Sequence, residues 1–568
     1  MSLMPKMGYP SLYRDLSSLE KSLVDEAIAK YALVPVENPE GKRIRNIFIY
    51  TASPFAKGAG ILTILNYLHV NTKDSIILRD IFVRPGEIYE SSVIKDSELS
   101  LRKRAQVRSI SVIIPVNSES SYDQNEVDLL VATEDLLSLG LQFNLSGSSS
   151  NITNIMASLA ENNFLGFNKS MSLSYEMQQG AHVFSSSYFD PGFCGSGLQL
   201  SLSESVLFLR KGFGYDGFAG EMRVGKPLLS QTDRWGYALS LKGGTKTVFD
   251  FQGGRLRMYD IGANSKKEVP HTYRYRYGSG SLAGTYSLGT ARKKEFSLGY
   301  GFNVKDPSIP ETLVLTPSEE QEFKKKLLPR DELESFITLG FSIFNNKFLT
   351  LYDYNNFRVQ ETLRLGIHFS MAYDLASRPL LLSDHSFFRP RLSLGFLQAL
   401  GSDAFLSAQA STSTRFDGSF TDNTHRFGLA LASPKILGLG RAVLAGSFAE
   451  TINNRDNQKF VIGSDSGLRG VESRFYSGTK GFNVNLELRS APIDLWILHA
   501  GFALFYDVGA AFDDWSKANA TQALGFGLRF FAPQVSSQPF RIDIAFPIYG
   551  MGKNYHNIVP SFGVGQAF

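Results

Sequence analysis

Hydrophobic and polar positions alternate with a period of two along most of the chain after residue 136. At the start of this region, leucines and a phenylalanine alternate with Ser, Gly, Gln and Asn. The apolar positions are Leu137, Leu139, Leu141, Phe143 and Leu145. The same period returns at residues 171–177, 482–489 and 540–546. Because successive side chains of a strand point to opposite faces, the pattern predicts many strands with one apolar and one polar face.

A membrane β-barrel and a soluble β-sandwich both produce such alternation. The polar face of a sandwich should carry more Lys and Glu than the Ser, Gly, Asn and Gln found here, which favours the barrel. A barrel must close, because an open edge in lipid leaves backbone groups unpaired. The pattern predicts roughly sixteen to twenty strands between residue 137 and residue 568, an even number being expected.

The first part of the chain mixes the two periods and predicts a small α/β unit. Apolar residues at roughly helical spacing predict an amphipathic helix before Pro35. They are Leu16, Leu19, Leu23, Ile28 and Tyr31. We expect extended segments at residues 43–50, 75–83, 107–116 and 126–133, helices at 61–68 and 92–104, and a turn at 84–87. The chain therefore divides into a helix and linker at residues 1–40, an α/β domain at 41–135 and a barrel at 136–568.

The composition supports a barrel and excludes two other classes of protein. Charged residues make up 20% and aromatic residues 12% of the chain, which has 51 Gly and a mean hydropathy of −0.10. Soluble globular chains average about 25% charged residues and about 7% Gly. No run of roughly 18 consecutive apolar residues is present, which excludes membrane-spanning helices. The aromatic content excludes intrinsic disorder.

The sequence contains no pattern typical of catalysis, metal binding or nucleic-acid binding. A net charge of +4 is too small to indicate nucleic acid. The eight His and the single Cys194 lack metal-ligand spacing. Residues 212–217 match G-x-G-x-x-G, but no helix follows, as a dinucleotide site requires, so we predict a turn. We therefore expect neither an enzyme nor a cofactor.

The N-terminus lacks the apolar core of a signal peptide. If the protein is exported, we expect that a signal has been removed or omitted, or that the true start lies upstream.

Near the C-terminus, the strand phase directs four charged side chains to the polar face of neighbouring strands. They are Glu487, Asp507, Arg529 and Asp543. Charged groups in a confined interior need partners, since an unpaired one costs several kcal/mol. Upstream, the Gly-rich segment 463–471 carries Arg469 between two strands. It is either a surface loop with an exposed arginine or an inward loop in which Glu487 and Asp507 hold the guanidinium, and the pattern leaves both open.

Several motifs in consistent order resemble the superfamily of BamA, TamA and the two-partner-secretion transporters. Leu468, Arg469, Gly470 and Val471 resemble its (V/I/L)-R-G-(F/Y) loop motif, with Val471 in place of the aromatic residue. Other matches are E-N-N-x-x-G at residues 161–166, N-x-E-x-R at 485–489, F-x-D-x-G at 505–509 and G-x-G-L-R … P … R-x-D-x-A-x-P within 524–547. Residues 79–116 resemble a POTRA module, and the resemblance runs from about residue 41 to the C-terminus.

This resemblance implies a fold and a function. The fold would be a membrane all-β protein with one periplasmic α/β POTRA domain and an antiparallel transmembrane β-barrel of about 16 strands. The implied function is the assembly or insertion of outer-membrane proteins. A polypeptide secretion pore is the alternative, and a passive porin or receptor barrel is a third, weaker one. The implied partners are outer-membrane lipid, unfolded outer-membrane or secreted polypeptides, and accessory periplasmic or lipoprotein subunits.

To close the barrel, the last strand must pair with residues 137–147. We predict a lateral seam there, involving Leu141, Gly563, Gly565 and Phe568. Gly563 and Gly565 weaken the last strand because they offer no side chain to pack. The resemblance implies that this seam parts and that a client strand is added by β-augmentation.

Overall fold

The computed structural model describes an α/β unit followed by a closed β-barrel. The described residues are 16–55, 63, 64, 66, 67, 69–104, 108–118, 125–147, 152–195, 197–230, 232–252, 255–261, 268–358, 360–495, 498–532, 538–550 and 558–567. The N-terminal segment considered as a signal and the seam residue Phe568 lie outside these ranges.

The α/β unit contains a four-stranded sheet with helices on both faces. Its helices are α1 Ser18–Tyr31, α2 Asp74–Asp80 and α3 Ser91–Arg104. Its strands are β1 Leu33–Pro35, β2 Arg43–Ala52, β3 Arg108–Ser118 and β4 Glu126–Asp135. The strand order is β1-β3-β4-β2, with β2 parallel to β4 and the other pairs antiparallel. Strand β2 therefore lies at an edge of the sheet.

Each face of this sheet has its own apolar core. On one face, α1 packs Leu23, Val24 and Ala27 against Val112 and Ile114. On the other face, residues of α2 and α3 pack against Leu129 and Val131 of β4. Helix α1 begins where Ser17 and Glu20 form a reciprocal capping box. The N-terminal helix is thus packed onto the same unit as residues 43–135.

The structure confirms most predicted elements of this unit and corrects one. The helix before Pro35, the helix at 92–104, the turn at 84–87 and the strands at 43–50, 107–116 and 126–133 are present. Half of the predicted helix at 61–68 lies outside the described residues. The extended segment predicted at 75–83 is wrong, because residues 74–80 form α2. Ile77 and Ile81 lie one helical turn apart in the same buried core, and this packing overrides the β-propensity of the isoleucines in the segment.

The rest of the chain is almost entirely β-structure, apart from helix α4 Pro317–Leu327. The strands are β5 Leu139–Gly147, β6 Ile152–Glu161, β7 Ser170–Met177, β8 Ala181–Phe193, β9 Leu198–Leu209, β10 Tyr215–Lys226, β11 Trp235–Phe249, β12 Phe251–Gln252, β13 Arg255–Leu256, β14 Met258–Asp260, β15 Glu268–Pro270, β16 Thr272–Leu288, β17 Arg292–Ser308, β18 Glu332–Asn345, β19 Lys347–Tyr352, β20 Gln360–Ala376, β21 Phe387–Ala399, β22 Phe405–Phe416, β23 Phe420–Ala432, β24 Gly440–Ile452, β25 Phe460–Ile462, β26 Tyr476–Gly478, β27 Lys480–Ser490, β28 Ile493–Leu495, β29 Leu498–Phe512, β30 Thr521–Phe531, β31 Phe540–Tyr549 and β32 Val559–Val564.

The barrel wall has about twenty strands in the part of the chain that the structure describes. Strands β18 and β19 are successive pieces of one wall strand, since both pair with β20, and β27 and β28 are related in the same way through β29. The predicted count of about 16 is therefore wrong. That number came from the family resemblance, whereas the alternation itself allowed the higher count.

The alternation of outward-facing apolar residues and interior polar residues is confirmed. On β27, Val484, Leu486 and Leu488 are exposed, and Glu487 between them is fully buried. The G-x-G-x-x-G segment is a turn between β9 and β10, as predicted, with φ of +83° at Gly212 and +51° at Phe213. None of the described helices is long and apolar enough to cross a membrane.

The α/β unit contacts one end of the barrel, which we call the near end; the opposite end is the far end. At the near end, the β6–β7 turn reaches the segment that precedes α2. The Asn163 side chain donates to the Val70 carbonyl at 2.9 Å and to Thr72 Oγ1 at 3.1 Å. Thr72 in turn donates to Asp135, at the end of β4, through its backbone N–H and its hydroxyl. Gly166, at φ +77°, leaves no space for a side chain, because a Cβ would lie 2.7 Å from the Asn71 carbonyl oxygen.

The E-N-N-x-x-G segment is therefore part of the junction between the two units, and its replacement should loosen that junction. We expect Asn163→Ala to cost about 1–3 kcal/mol, since it removes two hydrogen bonds across the junction. Amide exchange of Thr72 and Lys73 should accelerate correspondingly. Asn154→Ala is the control, because Asn154 donates to Glu176 on the barrel wall. Unchanged exchange at Thr72 would contradict this role of Asn163.

Candidate functional site

The connection between β24 and β27 starts at the far end and folds into the barrel. The short hairpin of β25 and β26 brackets its inserted part, residues 463–475. Leu468 and Val471 are fully buried and pack with Ile462 and Ala511. Arg469 between them is 1% exposed. The inward interpretation of this loop is therefore confirmed, and the alternative of a surface loop with an exposed arginine is wrong.

Arg469 binds two of the carboxylates that the strand phase directed to the interior. Its Nε and Nη2 donate to the two oxygens of Asp507 at 2.7 and 2.9 Å. Its Nη1 donates to Glu487 Oε2 at 2.9 Å, and its backbone N–H donates to Asp507 Oδ2 at 3.2 Å. The side chain thus makes a bidentate pair with Asp507 and a further bond to Glu487, the geometry in which a guanidinium binds most strongly.

An aromatic ring supports the guanidinium from one side. The Arg469 guanidinium carbon lies 3.4 Å from the centre of the Phe505 ring, a cation–π contact. Phe505 shares a face with Asp507 because the two are two residues apart on β29. The F-x-D-x-G motif therefore supplies a ring and a carboxylate to the same arginine. This contact is independent of Val471, where the family motif has an aromatic residue.

The other predicted charged residues join the same network. Arg529 donates from Nη1 to Asp543 Oδ1 at 2.7 Å and from Nη2 to Glu487 Oε1 at 3.2 Å. Asp543 Oδ2 also lies 3.5 Å from Arg469 Nη1. The structure thus brings together Arg469, Glu487, Asp507, Arg529 and Asp543, while Leu468, Gly470 and Val471 seat the loop that carries the arginine.

Sequence reasoning missed two members of the network. Arg489 donates from Nε to Glu487 Oε1 at 3.1 Å, and Arg541 Nη1 lies 3.3 Å from Asp543 Oδ2. Each lies two residues from its carboxylate on the same strand, so the period of two already places both on the interior face. Among the described residues, the network therefore comprises four arginines and three carboxylates.

Glycines of β30 and of the loop provide the space that this network fills. A Cβ at Gly525 would lie 2.3 Å from the Phe505 ring, and one at Gly527 would lie 1.9 Å from Asp543 Oδ1. Gly470, at φ +92°, lies against the wall, where a Cβ would meet Ala523 Cβ at 2.7 Å. The glycines of G-x-G-L-R are thus required by the close approach of the ring and of the Arg529–Asp543 pair.

The protonation of Arg469 follows from its neighbours. Burial alone lowers the pKa of Arg469, but the hydrogen bond and charge of Asp507 and the charges of Glu487 and Asp543 raise it above its ordinary value. The three carboxylates therefore stabilise the charged form of Arg469. Within the described ranges, no group of His, Cys, Asp and Glu has the arrangement of a metal site.

The far end of the same connection is also fixed to the barrel. Asp456 Oδ2 accepts from Lys305 Nζ at 2.8 Å, and Asn457 Nδ2 donates to the Leu327 carbonyl at the end of α4 at 2.8 Å. The connection is therefore held at the far end as well as by Arg469 in the interior.

The seam between the last and the first wall strand is the weakest part of the ladder. Among the described residues, β32 and β5 share one ladder pair, Ser561 with Ser146, whereas β31 and β32 pair at six successive positions. The Leu141 side chain of β5 is 80% exposed. Gly563 faces Arg541, where a Cβ would lie 2.9 Å from Nη2, and Gly565 has φ of +86°. The predicted seam residues within the described ranges therefore border a sparsely paired edge.

Comparison with known proteins also indicates a similarity to outer-membrane assembly proteins. Over 154 residues, or 26% of the chain, the sequence is 27% identical to a putative outer membrane protein assembly factor of Treponema pallidum (strain Nichols). The chain resembles outer membrane protein assembly factors. The resemblance inferred from the motifs is thereby confirmed. The matched region spans 18% of that relative's length, and no protein-family model matches the chain.

Solved structures similar to this chain include BamA and CdiB proteins. BamA from Haemophilus ducreyi lacking POTRA domains 1–3 is 13% identical, with 97% of this chain and 94% of that chain covered and a TM-score of 0.33. CdiB from Acinetobacter baumannii is 12% identical, with coverages of 93% and 74% and a TM-score of 0.40. CdiB from Escherichia coli is 10% identical, with coverages of 96% and 83% and a TM-score of 0.41. At such identities and TM-scores, function must be argued from the chain's own residues.

A methyl group at Gly527 should disrupt the network without removing any charge. In Gly527→Ala, the new Cβ would overlap Asp543 and approach Arg529 Nη1 to 2.5 Å. We expect a loss of about 1–3 kcal/mol in the free energy of unfolding, the usual cost of overpacking, measured by denaturant unfolding in detergent. Gly220→Ala on β10 is the matched control, because its Cβ would have no neighbour nearer than 3.9 Å. Equal stability of the two variants would contradict the tight fit.

Truncation of Arg469 should have a larger effect. Arg469→Ala leaves Asp507 buried without its main partner, and breaking a buried pair costs about 3–5 kcal/mol. We expect the variant to unfold at lower denaturant concentration and its loop to become sensitive to protease. Arg276→Ala is the control, because the Arg276–Asp306 pair is largely exposed and contributes about 1 kcal/mol or less. An Arg469→Ala barrel as stable as the parent would rule out this role.

Proposed function

We propose that this protein assembles or inserts outer-membrane proteins, with the barrel in the outer membrane and the α/β unit in the periplasm as a POTRA domain. Clients reach the α/β unit first and are then added, strand by strand, at the seam between β5 and β32. The observation that carries the proposal is the β5 edge, which is paired with β32 at one position in the described part of the seam.

A free strand edge within a membrane has a strong tendency to acquire a partner. Lipid offers no hydrogen bonds, so each unpaired backbone group there costs several kcal/mol. A client strand that pairs with β5 satisfies these groups and its own at the same time, which is β-augmentation. Burial of the client's apolar face in lipid supplies further driving force. The proposed activity therefore needs no cofactor and no catalytic step.

The α/β unit supports the proposal through the edge of its sheet. Residues 86–89 pair with the start of edge strand β2, and beside the rest of this strand a groove next to α2 is lined by Arg45, Phe48, Leu78 and Arg79. An extended client or an accessory subunit can pair with such an edge by the same backbone hydrogen bonds. The strand and helix order of residues 43–135, β-α-α-β-β, also fits the single POTRA module implied by the resemblance.

A polypeptide secretion pore is the second candidate function. For a polypeptide to pass through the barrel, the loop around Arg469, which enters from the far end and is held by buried ion pairs, would have to move aside. A passive porin or receptor barrel needs no sparsely paired seam. Lipid, unfolded client polypeptides and accessory subunits are therefore the partners that the proposal requires.

Locking the seam tests this function directly. In a Cys194→Ser background, a disulfide between Ser146→Cys and Ser561→Cys should join β5 to β32 at their ladder pair. We expect oxidation to abolish the assembly of client barrels in reconstituted membranes and reduction to restore it, because a covalent seam cannot admit a client strand.

The matched control joins β6 to β7, away from the seam. Ser158→Cys and Ser174→Cys are partners in the β6–β7 ladder, and their disulfide should leave activity intact. Client assembly by the oxidised seam variant at the parental rate would contradict an insertion mechanism through this seam. Blocked export of a secreted polypeptide, without any effect on barrel clients, would instead indicate the secretion pore.

A further inference from the structure

The C-terminus bends away from the strand that it would otherwise cover. Strand β32 ends at Val564, and Gly565 adopts φ of +86°, a conformation that favours glycine. The Gly565 N–H donates to the Pro539 carbonyl at 2.8 Å. This bond attaches the end of the chain to the connection before β31, on the side of β32 opposite to β5.

The next residue, Gln566, is held by two groups inside the barrel. Its Oε1 accepts from Arg529 Nε at 2.9 Å, and its Nε2 donates to the Asn355 carbonyl at 3.4 Å. Arg529 is the member of the arginine network that also binds Glu487 and Asp543. The amide of Gln566 therefore completes the set of acceptors around this guanidinium.

The second group that holds Gln566 belongs to an ordered turn at the near end. The backbone N–H groups of Tyr354, Asn355 and Asn356 donate to Glu361 Oε1 at 3.1, 2.7 and 2.9 Å. The Tyr354 carbonyl accepts from Arg489 Nη1 at 3.0 Å. Because Arg489 also binds Glu487, both partners of Gln566 are connected to the same carboxylate. A series of direct contacts thus runs from Arg469 through Glu487 to the end of the chain.

The position of Gln566 determines which part of β5 is covered. Extending the register of the Ser561–Ser146 pair would place Val564 beside Phe143 and Gln566 beside Leu141. A straight chain end would thus pair with the near half of β5. The bend at Gly565 and the bonds of Gln566 prevent this pairing, and the near half of β5 has no ladder partner from β32 among the described residues.

We propose that Gln566 is a positioning residue that holds the chain end in the barrel interior and thereby keeps the near half of β5 free for a client strand. This inference rests on the proposed function and identifies the contact that prepares its site. A client strand and the chain end would both pair with the edge of β5, and the hydrogen bond from Arg529 to Gln566 keeps the chain end away from that edge. The arginine network thus acts on the seam through a neutral side chain.

A disulfide reporter in the near half of the seam tests this inference without any client. Phe143→Cys and Val564→Cys in a Cys194→Ser background should cross-link slowly in the parent, because the two strands are not paired there. We expect Gln566→Ala to increase the cross-linking rate about tenfold or more, since hydrogen bonds to a charged donor contribute at least that factor to an equilibrium.

Two further variants separate positioning from general destabilisation. Gln566→Glu retains the acceptor for Arg529 and should keep cross-linking slow. Gln522→Ala removes an amide that accepts from Tyr506 on the neighbouring strand pair and should also leave the rate unchanged. A second reporter, Ser146→Cys with Ser561→Cys, should cross-link equally in all variants, which shows that the paired part of the seam remains folded.

The possible results distinguish this inference from the proposed function. If Gln566→Ala leaves the Phe143–Val564 rate unchanged, or if Gln566→Glu raises it as much, the positioning role is wrong. If instead the rate responds as expected but an oxidised Ser146–Ser561 seam still assembles clients, the proposed function is wrong and the positioning role stands.

Discussion

A charged guanidinium buried in the interior of a β-barrel requires carboxylates at hydrogen-bonding distance, because an unpaired buried charge costs several kcal/mol. Arg469 meets this requirement with Asp507 and Glu487, and much of the surrounding structure follows from that contact. The loop must enter the barrel to deliver the arginine. Phe505 must lie under the guanidinium, and Gly525 must be small to admit the ring. The two ion pairs of Arg469 are thus linked to the path of the loop and to the residues of the strands that face it.

The same arginine network also affects the geometry of the seam between β32 and β5. Wall strands elsewhere are joined by long ladders, and adjacent hairpins tie them together along the sequence. The junction of β32 and β5 lacks a covalent hairpin, and in its described part it has one ladder pair. Its geometry therefore depends on side chains that reach the chain end from inside the barrel. Arg529 is such a side chain, and it is itself oriented by Glu487 and Asp543.

How well the sequence predicted each feature depends on how far apart the interacting residues lie along the chain. The period of two was sufficient to place four charged residues in the interior, because the face to which a side chain points depends only on its position along the strand. These residues are Glu487, Asp507, Arg529 and Asp543. The same period applies to Arg489 and Arg541, but it does not show that an interior arginine pairs with the carboxylate two residues away on its own strand. Helix α2 was misread because its isoleucines gain their burial from β4, far along the chain. The number of wall strands was taken from a resemblance rather than from the pattern.

The pairing of strands at the seam could not be predicted from local sequence patterns. Gly563 and Gly565 predicted a weak last strand, but the pairing of Ser146 with Ser561 joins positions more than 400 residues apart and depends on closure of the whole barrel. The contact of Gln566 with Arg529 is of the same kind. A carboxylate at this position would bind Arg529 more strongly, yet it would present a second acceptor to the Asn355 carbonyl. An amide can accept from one and donate to the other. Gln566 therefore joins both elements through one accepted and one donated hydrogen bond, and these two bonds fix the chain end beside the sparsely paired seam.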